Sequence, residues 1–121
     1  MNELAILTDA EKSLREIFRH LHDAGAKIGL SDEQLLLLVR MPAAPSRVGV
    51  LLRTAYFGTN ASYNVRALIE KGFVAREADP HDCRASLVSR TRKGDDAATI
   101  GREIVVREVR ARAAALQSLA A

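Results

Sequence analysis

The sequence predicts a mostly helical α+β fold, and three observations support this prediction. Apolar residues recur at steps of three and four along most of the chain, which is the period of amphipathic helices. Two β-compatible stretches, 73–78 and 85–91, flank a polar loop that contains Pro80, and this order is typical of a β-hairpin. The 121 residues, 48% of them apolar, suffice for one domain with a core, which we expect to span 1–121.

Four helices are predicted before the hairpin, over about 3–24, 31–40, 47–55 and 60–71. The second is apolar nearly all round, so we expect it to be buried on most sides. Side-chain oxygens of Ser31, Ser46 and Thr59 are the predicted N-caps of the last three helices. Gly72 follows a basic residue and is predicted to end the fourth helix.

A fifth helix is predicted after the hairpin, over 95–119. The apolar stripes of the two end helices, 3–24 and 95–119, are longer than a core of this size can cover, so we expect burial across the two-fold axis of a homodimer. Between them, 31–94 has the order helix, turn, helix and hairpin, which predicts a winged helix-turn-helix with a two-stranded wing. The helix pair alone is a weak signal, and the hairpin directly after it makes the prediction more specific.

The net charge of +3 is small, but it is concentrated in one part of the chain. Residues 1–56 hold seven basic and seven acidic side chains, and residues 94–121 hold four of each. Residues 57–93 hold seven basic and four acidic side chains, a difference of three that equals the whole excess. This segment contains the second helix of the predicted pair and the hairpin, so the positive charge lies where a winged helix would meet DNA phosphates.

Several classes of protein are not supported by the sequence. The longest aliphatic run, 35–39, is far too short for a membrane span, and the N-terminal residues lack the pattern of a secretory signal. Cys83 is the single cysteine and has no partner for an internal disulfide, so a cytoplasmic protein is expected. The three histidines lack zinc-site spacing and no catalytic motif is present, so neither an enzyme nor a bound metal or cofactor is expected.

Three segments around the hairpin resemble the MarR family of transcriptional regulators. They are 68–76 (Leu-Ile-Glu-Lys-Gly-Phe-Val-Ala-Arg), 79–85 (Asp-Pro-His-Asp-Cys-Arg-Ala) and 87–94 (Leu-Val-Ser-Arg-Thr-Arg-Lys-Gly). They match a recognition helix that ends in Lys-Gly, a wing with Asp-x-Arg, and a Thr-x-Lys-Gly start of the next helix. The resemblance covers about 31–95 well, and the outer helices by their position only.

The resemblance implies a homodimeric repressor or activator that binds a pseudo-palindromic site on double-stranded DNA. It also implies that the recognition helix enters the major groove and that Arg84, positioned by Asp82, lies at the minor groove. The reading end of the recognition helix corresponds to 59–66. The end helices are shorter than is usual in the family, which leaves the question of a small-molecule effector open.

Helical geometry and the resemblance together define a predicted DNA-contacting set: Thr59, Asn60, Ser62, Tyr63, Asn64, Arg66, Arg84 and Arg90. Several members have a second interpretation. Thr59 could serve only as an N-cap, Tyr63 could pack on the wing, and Arg90 could lie on a solvated strand face. Arg47 and Arg53, which flank the first helix of the pair, are weaker candidates for phosphate contacts.

Two further alternatives remain open on sequence alone. Cys83, next to Arg84, could be a redox switch, although an incidental exposed thiol is the simpler interpretation. A winged helix that binds another protein and has no DNA operator is also compatible with the sequence. The predicted reading face carries one cation, Arg66, and one acid, Glu70, so it is only weakly basic.

Overall fold

The computed structural model describes residues 2–54 and 60–120. Its elements follow in the order α1 (Glu3–Ala26), α2 (Asp32–Arg40), β1 (Ser46–Arg47), α3 (Val48–Thr54), α4 (Ala61–Glu70), β2 (Val74–Asp79), β3 (Asp82–Arg90), α5 (Arg92–Ala111), α6 (Ala113–Gln117) and a final 3-10 turn (Ser118–Ala120). This is the mostly helical α+β winged helix that the sequence predicts. Within the described ranges, no helix has both the length and the apolar content needed to cross a membrane.

The helix α2 lies at the centre of the core and packs against α1, α4 and α5. Its Leu35, Leu37 and Leu38 are at most 1% exposed, which confirms the burial predicted from its apolar sequence. Ser31 is the N-cap, as predicted. Its Oγ accepts a hydrogen bond from the backbone N of Gln34 at 3.1 Å, and Gln34 Oε1 accepts one from the backbone N of Ser31 at 3.2 Å. This capping box fixes where α2 begins.

The sheet has three antiparallel strands, in the order β1-β3-β2. β2 and β3 are the predicted two-stranded wing, and β1 is a short additional strand that was not predicted. Ser46 pairs with Val88, and Arg47 pairs with Leu87. The prediction that Ser46 caps a helix starting at 47 is therefore wrong, and α3 begins at Val48. On the side of β3 away from β2, the backbone N–H and C=O groups lack a partner strand. Pairing with β1 provides hydrogen bonds to some of these groups.

The strands β2 and β3 form the wing, and the turn between them is shorter than the predicted loop over 79–84. β2 ends at Asp79 and β3 begins at Asp82. Oδ1 of Asp79 accepts a hydrogen bond from the backbone N of His81 at 2.9 Å, which stabilises the turn locally. The strand register shifts between Ala78 and Asp79.

The C-terminal helix differs from the predicted 95–119 at both ends. α5 begins at Arg92 because Thr91 is its N-cap, with Oγ1 accepting from the backbone N of Gly94 at 3.1 Å. α5 ends at Ala111, and the chain continues after Arg112 as the short α6, which packs against α1. Leu116 of α6 contacts the core cluster, and this burial favours the interruption over one continuous helix.

Candidate nucleic-acid interface

One side of α4 packs on the core and the other side is exposed. Val65 and Leu68 are buried, whereas Ser62, Tyr63 and Arg66 are exposed, as the apolar stripe predicts. Tyr63 is 67% exposed, which excludes close packing on the wing in this structure. Ser62, Tyr63 and Arg66, three residues of the predicted DNA-contacting set, therefore lie on one solvent-facing side of α4, the predicted recognition helix. We call this side of α4 the reading surface.

The beginning of α4 is only partly described. Asn60 is the N-cap residue and is exposed, and its side chain makes no capping hydrogen bond. Asn60 therefore lies at the N-terminal end of α4 with its side chain at the surface. Thr59, predicted both as an N-cap and as a DNA contact, lies outside the described residues.

Asn64 does not lie on the reading surface, which corrects its predicted role. It is 4% exposed, and it faces α2 rather than solvent. Its Oδ1 accepts a hydrogen bond from Nε2 of Gln34 at 3.3 Å, and its Nδ2 donates to Oε2 of Glu33 at 3.3 Å. An amide that is buried against α2 and bonded to it does not present its groups to a base edge, so Asn64 leaves the DNA-contacting set.

Arg90 is also removed from that set, because its side chain is only 10% exposed and bonded inside the fold. Its guanidinium donates to the carbonyl oxygens of Leu38 (2.9 Å) and Met41, at the C-terminal end of α2. Its Nε donates to Oδ1 of Asp95 in α5 at 2.9 Å. The Arg90 side chain thus caps the C-terminal end of α2 and connects α2 to α5. A cation is favourable at this position because the last carbonyl groups of a helix carry partial negative charge.

At the wing, Arg84 projects into solvent. Its side chain is 90% exposed, and Asp82 lies beside it with Oδ1 3.6 Å from Arg84 Nε. The same oxygen accepts a hydrogen bond from the backbone N of Arg84 at 3.1 Å. Asp82 therefore fixes the backbone from which Arg84 projects, and holds the guanidinium only loosely.

An arginine-lined cleft opens between the wing and the start of α3. Its volume is about 370 Å³, and its charged lining residues are Arg47, Arg53, Arg76 and Arg84. A smaller cleft of about 180 Å³ adjoins it through Arg76 and Val48, and reaches Ser62 and Arg66 on α4. The two clefts place five arginines on one side of the molecule, next to the reading surface. Among residues 2–54 and 60–120, no acidic side chain lines either cleft.

Arg76 is a functional candidate that is not in the predicted DNA-contacting set, although it belongs to the basic segment 57–93. It pairs with the buried Val88 in the sheet, so its side chain leaves β2 on the face that packs toward the helices. The signal in the sequence is strand alternation, because Val74 and Arg76 are two apart and lie on the same face. A basic residue at the edge of an inward face is placed to line a cleft.

A buried carboxylate holds one wall of the larger cleft. Asp79 is 6% exposed, and its Oδ2 accepts a hydrogen bond from Nε of Arg47 at 2.7 Å. The hydrogen bond from the backbone N–H of His81, together with Arg47, keeps the pKa of Asp79 below its usual range despite the cost of burial. The ionised carboxylate orients Arg47, whose side chain remains 45% exposed.

Cys83 and His20 are not among the residues that line the two clefts. Cys83 is exposed on the wing. His20 lies on α1, 3.0 Å from Glu108 of α5. Across residues 2–54 and 60–120, no group of three His, Cys, Asp or Glu side chains is arranged to hold a metal ion.

The fold and the basic surface agree with a comparison of the sequence with known families. The model of the winged helix DNA-binding domain matches residues 31–94, which is more than half of the chain. The chain belongs to this family of DNA-binding domains. No curated protein sequence matches the chain.

Solved structures specify the fold further. A MarR-like transcription regulator from Bacillus cereus is 16% identical, with a TM-score of 0.69 over 94% of this chain and 84% of that chain. Sco3205, a MarR family transcriptional regulator from Streptomyces coelicolor in complex with DNA, is 20% identical (TM-score 0.65, 91% and 74% covered). A mutant MarR from E. coli complexed with operator DNA is 21% identical (TM-score 0.60, 83% and 73% covered). The protein has the fold of the MarR regulators, which confirms the resemblance seen in the wing sequence.

Proposed function

We propose that the protein is a transcriptional regulator that binds a pseudo-palindromic DNA operator as a homodimer. The observation that carries this proposal is the continuous basic surface formed by Arg47, Arg53, Arg66, Arg76 and Arg84 beside the exposed face of α4. Neutralising several phosphates with arginine provides most of the affinity of such a protein for DNA. The DNA complexes of Sco3205 and of the E. coli MarR mutant support the same assignment by fold.

Base reading is proposed for the exposed face of α4 in the major groove. Arg66 can make a bidentate contact to guanine and Asn60 to adenine, while Ser62 and Tyr63 can bond to bases or phosphates. Thr59, predicted at the same end of the helix, stays in the proposed set. Arg84, supported by Asp82, is proposed to reach the minor groove, where a narrow groove attracts arginine.

The phosphate backbone is proposed to lie along the two arginine-lined clefts. α3 contributes Arg53 and the wing contributes Arg76 and Arg84, so one DNA strand could contact both elements at once. Phosphate contacts fix the position of a protein on the duplex, and base contacts then select the sequence. Because its proposed ligand is DNA, the protein is proposed to act in the cytoplasm.

The homodimer is proposed to form through the two ends of the chain. Leu4, Leu7 and Leu14 of α1 are 72%, 60% and 45% exposed, and Leu119 is 52% exposed. Leu7, Leu14, Phe18 and Leu119 line one apolar groove of about 420 Å³. Apolar patches of this kind on a soluble protein mark interaction sites, and a second copy would bury both patches symmetrically. Two recognition helices would then lie roughly 34 Å apart.

A variant of α1 tests the dimer. Leu7→Glu should convert the protein to a monomer in sedimentation equilibrium, because it places a charge in the apolar groove. Lys12→Glu, an exposed change on the same helix, is the matched control and should leave the association state unchanged. A dimer that survives Leu7→Glu, and likewise Leu14→Glu, would contradict the proposed interface.

The DNA-binding function is tested by selecting bound duplexes from a random library and measuring the affinity of the selected site by fluorescence anisotropy. The expected result is an enriched pseudo-palindrome that binds more tightly than a scrambled duplex, with an affinity that falls steeply as salt rises. No enriched sequence, together with salt-insensitive binding, would contradict the proposal. Capture of one defined protein partner in that case would favour the alternative, a winged helix that binds protein.

A further inference from the structure

Two amides are buried against each other between α2 and the recognition helix α4. Gln34 is 6% exposed and Asn64 is 4% exposed, and Nε2 of Gln34 donates to Oδ1 of Asn64 at 3.3 Å. The two helices also pack through apolar side chains of the same core cluster, which includes Leu35 and Leu68. A polar pair at this position therefore requires an explanation beyond the filling of space.

The pair belongs to a network in which each amide group has a partner. Gln34 Oε1 accepts hydrogen bonds from Nζ of Lys71 at 3.0 Å and from the backbone N of Ser31 at 3.2 Å. Asn64 Nδ2 donates to Glu33 Oε2 at 3.3 Å. Lys71 Nζ also donates to the carbonyl oxygen of Gly29 at 2.8 Å.

This network contacts α4 at two separate places. Asn64 lies in the first half of α4, and Lys71 is its C-cap residue. Both are bonded to the segment that starts α2, which the capping box of Ser31 and Gln34 holds in place. Two attachment points along one helix fix its direction as well as its distance from the neighbouring helix.

Hydrogen bonds specify an angle that apolar contacts do not. An apolar interface tolerates small rotations of one helix on another, whereas a buried donor or acceptor that loses its partner is strongly unfavourable. Buried polar pairs are accordingly used in other proteins to select one packing arrangement at some cost in stability. The Gln34–Asn64 pair is in a position to select one orientation of α4.

The orientation of α4 determines what its exposed side chains can reach. Ser62, Tyr63 and Arg66 leave the same helix on the face opposite Val65 and Leu68. Base-edge hydrogen bonds require donor–acceptor distances within a few tenths of an ångström, whereas long arginine side chains can follow a phosphate over a wider range. A small rotation of α4 should therefore weaken base reading more than phosphate binding.

We propose that the buried Gln34–Asn64 pair is a specificity-determining positioning pair, which sets the orientation of α4 and with it the discrimination between DNA sequences. The proposal rests on the DNA-binding function proposed above. It predicts that loss of the pair reduces the ratio of operator affinity to scrambled-duplex affinity, with little change in affinity for the scrambled duplex.

The test uses the single variants Asn64→Leu and Gln34→Met and their combination, because leucine has the branched shape of asparagine, methionine has a length similar to that of glutamine, and neither has an amide. Each single variant leaves one buried amide without its partner and should lower the melting temperature. The double variant removes both amides, and should melt at a higher temperature than the sum of the two single effects predicts. Its sequence discrimination should still be about tenfold lower than that of the unmodified protein, which is the discrimination that one base pair typically provides.

Val105→Ala is the matched control for lost stability. Val105 is half-buried on α5 and packs on the core cluster, away from α4, so this variant should melt earlier and keep its discrimination. If it loses discrimination as well, the effect follows from general stability and the proposal is overturned. A double variant with full discrimination also overturns it. If the unmodified protein does not discriminate between duplexes, the proposed function itself fails.

A second measurement does not depend on DNA. Spin labels at Lys12→Cys and Arg66→Cys, in a Cys83→Ser background and diluted with unlabelled protein, report the placement of α4 relative to α1. The double variant should show a shifted or broader distance distribution, and the Val105→Ala control should not. An unchanged distribution in the double variant would show that the apolar core alone orients α4.

Discussion

Nε2 of His20 in α1 lies 3.0 Å from Oε1 of Glu108 in α5, and the Glu108 side chain is only 8% exposed. Arg107 and Arg112 contact the same carboxylate at 2.9 Å and 2.7 Å. The hydrogen bond from Arg107, with His20 and Arg112 beside the carboxylate, keeps the pKa of Glu108 below its usual range although burial opposes this. The two end helices are therefore joined by one ionised carboxylate.

This arrangement predicts a loss of stability in acid. A carboxyl group whose pKa is lowered by folding stabilises the native state above the pKa of the unfolded chain, and the contribution is lost as the pH falls through the native value. Glu108→Gln should lower the melting temperature at neutral pH, and its difference from the unmodified protein should shrink as the pH falls below the usual range of a glutamate carboxyl group. Glu103→Gln, an exposed change on the same helix, is the control for a surface carboxylate. A pH-independent difference for Glu108→Gln would contradict the prediction.

The buried guanidinium of Arg90 predicts a large stability effect. Arg90→Ala leaves the carbonyls of Leu38 and Met41 without this donor and removes the tie to Asp95, so we expect a loss of about 2–3 kcal/mol in the free energy of unfolding. Urea denaturation measures it. Arg92→Ala removes a nearby exposed arginine and should change the free energy by no more than about 0.5 kcal/mol. Equal effects of the two changes would argue against the capping role.

Gly94 predicts a steric effect at the start of α5. A Cβ built there would lie 2.0 Å from the carbonyl oxygen of Phe73, so backbone would have to move. Gly94→Ala should cost about 2–3 kcal/mol in unfolding free energy. Gly49→Ala is the matched control on α3, because the nearest atom to its Cβ is Nη1 of Arg53 at 3.5 Å. It should be neutral or stabilising, since alanine favours helix over glycine, and thermal denaturation of both variants gives the comparison.

The arginine-lined cleft predicts a change in the salt dependence of DNA binding. Arg76→Ala and Arg84→Ala should each weaken binding and reduce the slope of log affinity against log salt by about 0.9 for each phosphate that is no longer neutralised. Lys12→Ala removes the same charge from an exposed position on α1 outside the proposed dimer groove, so its slope should stay unchanged. Circular dichroism checks that all three variants fold. A slope that changes equally in all three would indicate a general charge effect and no binding of phosphate in the cleft.

The parts of the fold that were predictable depend on local chemistry. Ser31 caps α2 with its own neighbours, and the apolar stripe of α4 follows from helical spacing, so the sequence contains both signals. β1 was not predictable in this way, because Ser46 is in a strand only through its pairing with Val88, far along the chain. A two-residue strand has no periodicity that could identify it.

The same distinction between local and remote contacts applies to the residues of the candidate site. Arg84 and the exposed face of α4 were identified from motif and spacing, and the structure leaves them exposed. Asn64 and Arg90 were misassigned because a polar residue type does not show whether the fold has already engaged its hydrogen-bonding groups. Their partners, Gln34 and the end of α2, are remote in sequence and become visible only in three dimensions.

The short strand β1 has a consequence for the cost of binding. β1 leads directly into α3 and is hydrogen-bonded to β3. Backbone contacts therefore connect the α3 wall of the arginine-lined cleft with the wing wall. The ion pair between Arg47 and Asp79 joins them a second time. The width of the cleft is therefore established when the chain folds, and a DNA strand entering it would meet a preorganised surface that loses little conformational entropy on association.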